Sequence, residues 1–121
     1  MPSFLTEDDN VEITNGGGTP IVNGTIVAAP DGRAAIVEGL AGIKPGRVGK
    51  GRTRGIVLCD KASATVIAAG DRLQIATTTQ LVTVKATGAA DAGNVLLGRA
   101  RYAAGNGTVT VQAILNGTGV I

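Results

Sequence analysis

The residues best suited to chemistry lie between positions 44 and 54, where cationic side chains alternate with glycine. The cations are Lys44, Arg47, Lys50, Arg52 and Arg54. A phosphate-binding loop needs Gly, four residues and then Gly-Lys-Ser/Thr; here Gly49-Lys50 is followed by Gly51 and preceded, five positions earlier, by Lys44. A dinucleotide fingerprint fails too, because arginine occupies position 54. The segment therefore predicts a solvated hairpin loop or a contact for an acidic protein surface, with nucleic acid a weaker third reading.

The remaining composition argues against catalysis. The chain has no His and a single Cys, so an ordinary zinc site lacks ligands and a Ser-His-Asp or Cys-His nucleophile lacks its base. It has no Trp, one Phe and one Tyr, whereas sugar grooves and single-stranded nucleic-acid platforms use aromatic faces for stacking. We therefore expect a protein that is not an enzyme, needs no cofactor or metal, and binds no nucleic acid.

The N-terminal segment is a second candidate interaction site, because it combines apolar, acidic and strand-like residues. Its candidate binding residues are Phe4, Leu5, Glu7, Asp8, Asp9, Val11 and Ile13. The glycines at 16–18 are expected to uncouple this arm, residues 1–18, from a β-rich body over 19–121. An extended segment gains backbone hydrogen bonds by adding a strand to a partner's exposed sheet edge. We therefore expect the arm to bind a partner protein, with a frayed chain end as the alternative.

Two further cations lie outside these segments. Arg99 and Arg101 alternate along an expected strand and so share one of its faces. That face is either a subunit contact or the solvent side. Cys59 follows Leu58 in an apolar run and is expected to pack as a small hydrophobe.

The elements that position these residues are expected to be strands. Val, Ile and Thr total 37 residues against 8 Leu, and 19 glycines interrupt the chain at short intervals. Alternation and turn signals predict the following strands: Val11–Thr14, Ile26–Val27, Arg33–Glu38, Gly55–Asp60, Thr65–Ala68, Arg72–Ala76, Gln80–Lys85, Val95–Tyr102 and Thr108–Leu115. Gly55–Asp60 is almost entirely apolar, which is typical of a central strand buried on both faces. The fold class is therefore all-β, a single compact sandwich or barrel of about eight or nine short strands with a flexible N-terminal arm.

Length and charge set the outer limits of the interpretation. The chain has 121 residues, 44% of them hydrophobic, and a net charge of +2, which predicts one ordered domain. No apolar run approaches the ~20 residues of a membrane helix, so we expect no membrane contact. Residues 1–12 contain four acids and no basic side chain, so we expect no secretion signal. A core with so few aromatic residues is modest for its size, which favours association with copies of itself or with a scaffold.

The order of features from Val22 onward is distinctive. It runs Asn23-Gly-Thr-Ile-Val27, Ala41-Gly-Ile43, Gly55-Ile-Val-Leu58, Lys61-Ala62, Ile67-Ala-Ala-Gly-Asp-Arg-Leu73, Val82-Thr-Val84, Leu97-Gly-Arg-Ala100 and Thr108-Val-Thr-Val111. This order resembles the capsid-cement, or head-decoration, proteins of tailed bacteriophages, over about 90 residues. In that family an Ala-Gly-Asp turn precedes a strand, and a Gly-Val/Ile-rich strand ends near a Lys. The basic segment at 44–54 is a departure from the family pattern.

The resemblance implies a structural virion protein, made in the bacterial host cytoplasm, that binds the outer surface of the assembled head. There it would cement neighbouring major capsid protein subunits against internal DNA pressure, typically as a homotrimer, with a dimer as the fallback. The arm residues named above would then contact the capsid, and the cations at 44–54, Arg99 and Arg101 would contact capsid or subunit. The alternative is a stand-alone phage binding module, such as a receptor- or sugar-binding fibre tip.

Overall fold

The computed structural model describes residues 10–116, which form nine strands and no helix. The strands are β1 (Asn10–Thr14), β2 (Ile26–Ala28), β3 (Ala34–Glu38), β4 (Val48–Arg52), β5 (Ile56–Asp60), β6 (Arg72–Ala76), β7 (Val82–Val84), β8 (Asn94–Ala100) and β9 (Thr110–Leu115). This confirms the all-β prediction. Within the same residues no helix is long and apolar enough to cross a membrane.

The strands make two antiparallel sheets with the orders β1-β4-β3-β2 and β5-β9-β8-β6-β7. A parallel bridge between Asp60, at the end of β5, and Leu81, just before β7, joins the two outer strands of the second sheet. The five-stranded sheet therefore curls towards a closed barrel, and the four-stranded sheet packs beside it. This arrangement agrees with the predicted sandwich or barrel.

The core has two parts that meet at β3. The larger cluster fills the second sheet and also takes Ile26 and Ala34 from the first sheet. The smaller cluster packs on the other face of the first sheet and consists of Ile13, Ala29, Ala35, Val37 and Ile43. Because neighbouring strand residues point to opposite faces, Ala34 enters one cluster and Ala35 the other, and neither has any exposed surface. β3 is thus the strand that unites the two halves of the core.

Two side-chain amides fasten the second sheet to the backbone of the first. The Gln80 Nε2 donates to the carbonyl of Ile26 at 2.9 Å, and the Ile26 N–H donates to Gln80 Oε1 at 2.8 Å. The Asn116 amide makes the same pair of bonds with Ala34, at 2.8 and 3.2 Å, and also donates to the carbonyl of Thr53. Each amide therefore bonds to both the N–H and the C=O of one residue, as a neighbouring strand would, and so satisfies backbone groups that have no strand beside them.

Residues 44–54 are not a flexible hairpin loop, because their middle is β4, an inner strand of the first sheet. The glycines make this possible. A side chain at Gly49 would collide with Ile43, and one at Gly51 would come within 2.9 Å of the Ala35 Cβ and 3.0 Å of the Ile13 Cγ1. β4 therefore brings backbone, rather than apolar side chains, to the smaller core cluster, and its pattern lacks the alternation by which strands are recognised.

Two other strand predictions were wrong. β5 comes first in the order of its sheet and is an edge strand rather than a central one. It is buried on one face only, since Val57 and Cys59 face the core while Ile56 and Leu58 are exposed. Residues 65–68 form no strand, and only Ile67 makes a bridge, to Ala104. In both segments, therefore, the apolar run does not indicate a strand that is buried on both faces.

Candidate interaction surfaces

The acidic and apolar part of the arm lies outside the described residues. This applies to Phe4, Leu5, Glu7, Asp8 and Asp9. The other two arm residues, Val11 and Ile13, belong to β1, which pairs with β4 along its whole length from Asn10 to Thr14. Ile13 is only 4% exposed and packs in the smaller core cluster. Ile13 is therefore not presented to a partner while β1 stays in its sheet, and Val11 is half-buried against the same cluster.

The glycines after β1 do not separate it from the body, because Asn15 ties both flanks of the segment down. Its side-chain amide donates to the carbonyls of Thr19 and Ile43, each at 2.8 Å, and its Oδ1 accepts from the N–H of Gly17. Its backbone donates to Arg47 and accepts from Gly46. The turn that carries Lys44 and Arg47 is therefore held in place, with both cationic side chains exposed.

The cations of β4 lie on the same face of the first sheet as Ile36, which packs against the larger core cluster, but Lys50 and Arg52 are themselves exposed and lie beside acids. Lys50 is directly opposite Glu12 of β1 on one side and Glu38 of β3 on the other. The Arg52 Nη1 lies 3.7 Å from the Glu38 carboxylate. This face alternates in sign rather than forming a basic patch. The structure therefore disperses the cations that are dense in the sequence, with Arg54 exposed beyond the end of β4.

The outward face of the second sheet holds an apolar surface that the sequence interpretation missed. Ile56 and Ile114 are directly opposite each other, and Leu58 is opposite Gln112. The exposed fractions are 69% for Leu58, 52% for Ile56 and 42% for Ile114. We call this the β5–β9 face. The sign of this face in the sequence is the apolar run Ile56-Val57-Leu58-Cys59, whose residues point alternately to the two faces of the strand. Only the side with Val57 and Cys59 packs in the core, and the other side is exposed.

The two arginines singled out in the sequence border the β5–β9 face. Arg99 is opposite Ile114 across the β8–β9 pair. The Arg101 guanidinium lies 4.9 Å from the centre of the Tyr102 ring, and its Nη1 donates to the Gln112 Oε1 at 3.2 Å. A tyrosine stacked under an arginine beside exposed aliphatic side chains is the composition enriched in protein–protein contacts.

The other half of this sheet's outer surface is covered by the segment after β7. Gln74 is buried, and its Nε2 donates to Asp91 at 2.9 Å while its Oε1 accepts from the Asp91 N–H. Lys85 pairs with Asp91 at 2.8 Å, and these hydrogen bonds, the one from Lys85 first, lower the pKa of Asp91. The segment shields β6 from solvent and leaves the β5–β9 face as the open part of the sheet.

The groups that could do covalent or metal chemistry are held in structural positions. Burial, with a smaller contribution from the charge of Asp60, raises the pKa of the Cys59 thiol to about 11. Buried Lys61 directs its ammonium at four backbone carbonyls, with distances of 2.7 Å to Thr65 and Thr108 and 3.2 Å to Ala62 and Gly105. In the described residues no three His, Cys, Asp or Glu side chains form a group that could hold a metal ion.

The fold and its surfaces define a small all-β protein whose open features are suited to contacts between proteins. The chain belongs to the phage cement protein family, whose family model matches residues 5–115. This confirms the resemblance found in the sequence and gives the chain a structural role in the phage capsid. No curated protein matches the chain.

Proposed function

We propose that this protein is a non-enzymatic cement that binds the outer surface of the assembled phage head. There it holds neighbouring major capsid protein subunits together against internal DNA pressure. The observation that carries this proposal is the family match over residues 5–115. Because the match spans both sheets, the family's capsid role applies to the whole compact domain rather than to an appended segment.

The physical basis of cementing is repetition. Each copy has a small interface with the shell, but a bound copy that touches two capsid subunits makes its second contact at a high effective concentration. The contacts repeat at every equivalent position on the head, so modest single affinities add up to a large resistance to shell expansion. Cementing of this kind requires surfaces that are already ordered before binding. The two core clusters of the domain hold its surfaces in place.

We assign the first capsid contact to residues 1–9, with Phe4 and Leu5 in an apolar pocket and Glu7, Asp8 and Asp9 facing basic residues of the major capsid protein. The exposed cations of the 44–47 turn are a second candidate contact. Copies of the chain also associate with each other, as a trimer, with a dimer as the fallback. The protein is made in the cytoplasm of the bacterial host and added to the head, without a cofactor, nucleic acid or membrane.

Electron microscopy of heads that lack the protein, before and after adding the purified full chain, tests the proposal. We expect added density of about this mass at symmetric positions on the outer surface, and a higher temperature for head rupture than in untreated heads. Density at the tail or fibre tips instead would support the stand-alone binding module. Heads that gain neither density nor resistance to heat would overturn the cement role.

A further inference from the structure

The β5–β9 face has a charge pattern that matters for the identity of its partner. Arg99 is in line with Ile114 and Ile56 and marks one corner of the face. Asp60 lies two residues beyond Leu58, opposite Thr110, at the far end of β5. The cation and the acid therefore occupy diagonal corners, with the exposed aliphatic side chains and Gln112 between them. Asp60 is exposed, and Arg99 is half-buried and donates to the carbonyl of Gly70 at 3.1 Å.

We propose that the β5–β9 face is a contact between two copies of this chain, packed face to face about a two-fold axis. A half-turn about an axis that lies in the plane of the face and passes by Gln112 places Asp60 of one copy over Arg99 of the other. The same rotation produces the reciprocal pair. It also lays Leu58 against the Ile56–Ile114 pair of the second copy, so that apolar surface meets apolar surface.

This self-complementarity favours a second copy over a capsid subunit as the occupant. A uniformly acidic partner would attract Arg99 and Arg101 but repel Asp60, and a uniformly basic partner would do the reverse, whereas a copy rotated by half a turn pairs Asp60 with Arg99 at both corners. Isologous contacts of this kind, in which one patch meets itself, make the commonest homo-oligomers. The inference deepens the self-association part of the proposed function, and of the trimer and the dimer it selects the dimer for this face.

The composition of the face also suits such a contact. An interface between proteins has an apolar centre and a polar rim. Leu58, Ile56 and Ile114 supply the apolar side chains, Gln112 lies beside the axis, and Arg101 and Thr110 lie towards the rim.

Sedimentation of the purified full-length chain at micromolar concentrations is the first test. We expect Leu58→Glu to shift the population to monomer, because it places a charge in the apolar centre. Val48→Glu is the matched control, since Val48 is 58% exposed on the outward face of β4 and should leave association unchanged. Circular dichroism of each variant establishes that the fold is kept.

A charge exchange is the sharper test. Asp60→Arg and Arg99→Asp should each weaken dimerisation by about tenfold or more, because like charges then meet at both corners. The double variant should restore association to within about threefold of the parent, since the exchanged charges attract again. Failure of the double variant to recover association, or association of Leu58→Glu equal to that of the parent, overturns the inference.

Binding to heads separates this inference from the proposed function. If Leu58→Glu associates like the parent but no longer decorates heads, the face docks on the capsid, so the dimer is refuted while the cement role stands. If the charge exchange behaves as expected but no form of the protein binds heads, the dimer contact stands and the cement role fails.

Discussion

At the scale of single residues, Lys61 shows how a charged side chain can be structural. Its ammonium is buried and donates to carbonyls from two loops, 62–65 and 105–108, which lie far apart in sequence. This gives a physical reason for a lysine at the end of the strand in the order of features that identified the family.

We predict that Lys61→Met lowers the free energy of unfolding by about 2–3 kcal/mol, because the short hydrogen bonds from the ammonium to the Thr65 and Thr108 carbonyls are lost. Methionine keeps the length of the side chain and removes the cost of burying a charge. The carbonyls of Thr65 and Thr108 then lose the ammonium that donates to them, whereas those of Ala62 and Gly105 keep their bonds from Thr65 and Thr108, and the loss of the first two dominates. Urea unfolding measures the change. Lys85→Met is the control, since it removes a more exposed lysine paired with Asp91 and should cost under about 1 kcal/mol. Equal losses in the two variants would contradict the staple role.

Cys59 gives a pH-dependent prediction with a definite sign. Because the pKa of its thiol is about 11 in the folded chain and its ordinary value is 9.0, the folded state binds the proton more tightly than the unfolded state. Its contribution to stability is therefore complete below pH 9 and is lost as the pH rises to 11, by about 1.4 kcal/mol per pKa unit. Unfolding of the parent and of Cys59→Ala, compared between pH 8 and 11, isolates this loss. A constant difference between the two proteins would contradict it.

Sequence predicted the role of Cys59 but not that of Lys61. An apolar run places a small hydrophobe such as cysteine correctly, and Cys59 is 6% exposed. A lysine carries no local sign of burial, because two of the carbonyls that receive its ammonium come from residues more than forty positions away. Long-range hydrogen bonding of this kind leaves no periodic pattern in the sequence.

At the scale of elements, β4 and β5 were misread for opposite reasons. β4 looks like a loop because its inward positions are glycines, which let Ile43, Ile13 and Ala35 fill the space that β4 side chains would take. β5 looks like a buried strand because its outward positions are apolar. Binary patterning reads burial from side-chain type, so it fails where the core receives backbone and where apolar residues face outward. The remaining strands alternate or end at Gly and Asn turns, and their positions were found.

We predict that Gly51→Val lowers the free energy of unfolding by about 1–3 kcal/mol, although valine is a better strand former. The new side chain collides with Ala35 and Ile13, so overpacking outweighs strand propensity. Thermal unfolding measures the loss. Lys50→Val is the matched control on the same strand, because position 50 faces outward and should change stability by less than about 1 kcal/mol. A stable Gly51→Val variant would mean that β4 does not pack backbone against the core.

At the scale of the whole molecule, composition was enough to predict the class of fold. A chain rich in β-branched residues and glycine, with short intervals between turns, has few alternatives to a sandwich or barrel. The joining of its two sheets was not predictable, because Gln80 and Asn116 act through side-chain amides on strands distant in sequence. The same limit applied to the candidate sites. The residue types suited to binding could be found in the sequence, but which of them share a face depends on the order of strands in the sheets, which local patterns do not encode.

The last prediction concerns the segment before β1. The pairing of β1 with β4 in the described residues begins at Asn10 and Arg52, so deleting residues 1–9 leaves it intact. The unfolding temperature should therefore stay within about 2 °C of the parent, and the oligomeric state should not change. Attachment to heads should weaken, because the burial of Phe4 and Leu5 on binding contributes up to a few kcal/mol to the binding free energy. Binding curves on heads that lack the protein measure the change.

Two full-length variants divide that effect by its physical cause. Phe4→Ser with Leu5→Ser removes the apolar part and should reproduce most of the weakening at any salt concentration. Glu7→Gln with Asp8→Asn and Asp9→Asn keeps size and removes charge, so its effect should be large at low salt and small at high salt, where screening already hides the acids. If the deletion decorates heads with the affinity of the parent, the segment has no part in attachment. The contact with the shell then belongs to the body, and the exposed cations Lys44 and Arg47 are the next residues to substitute.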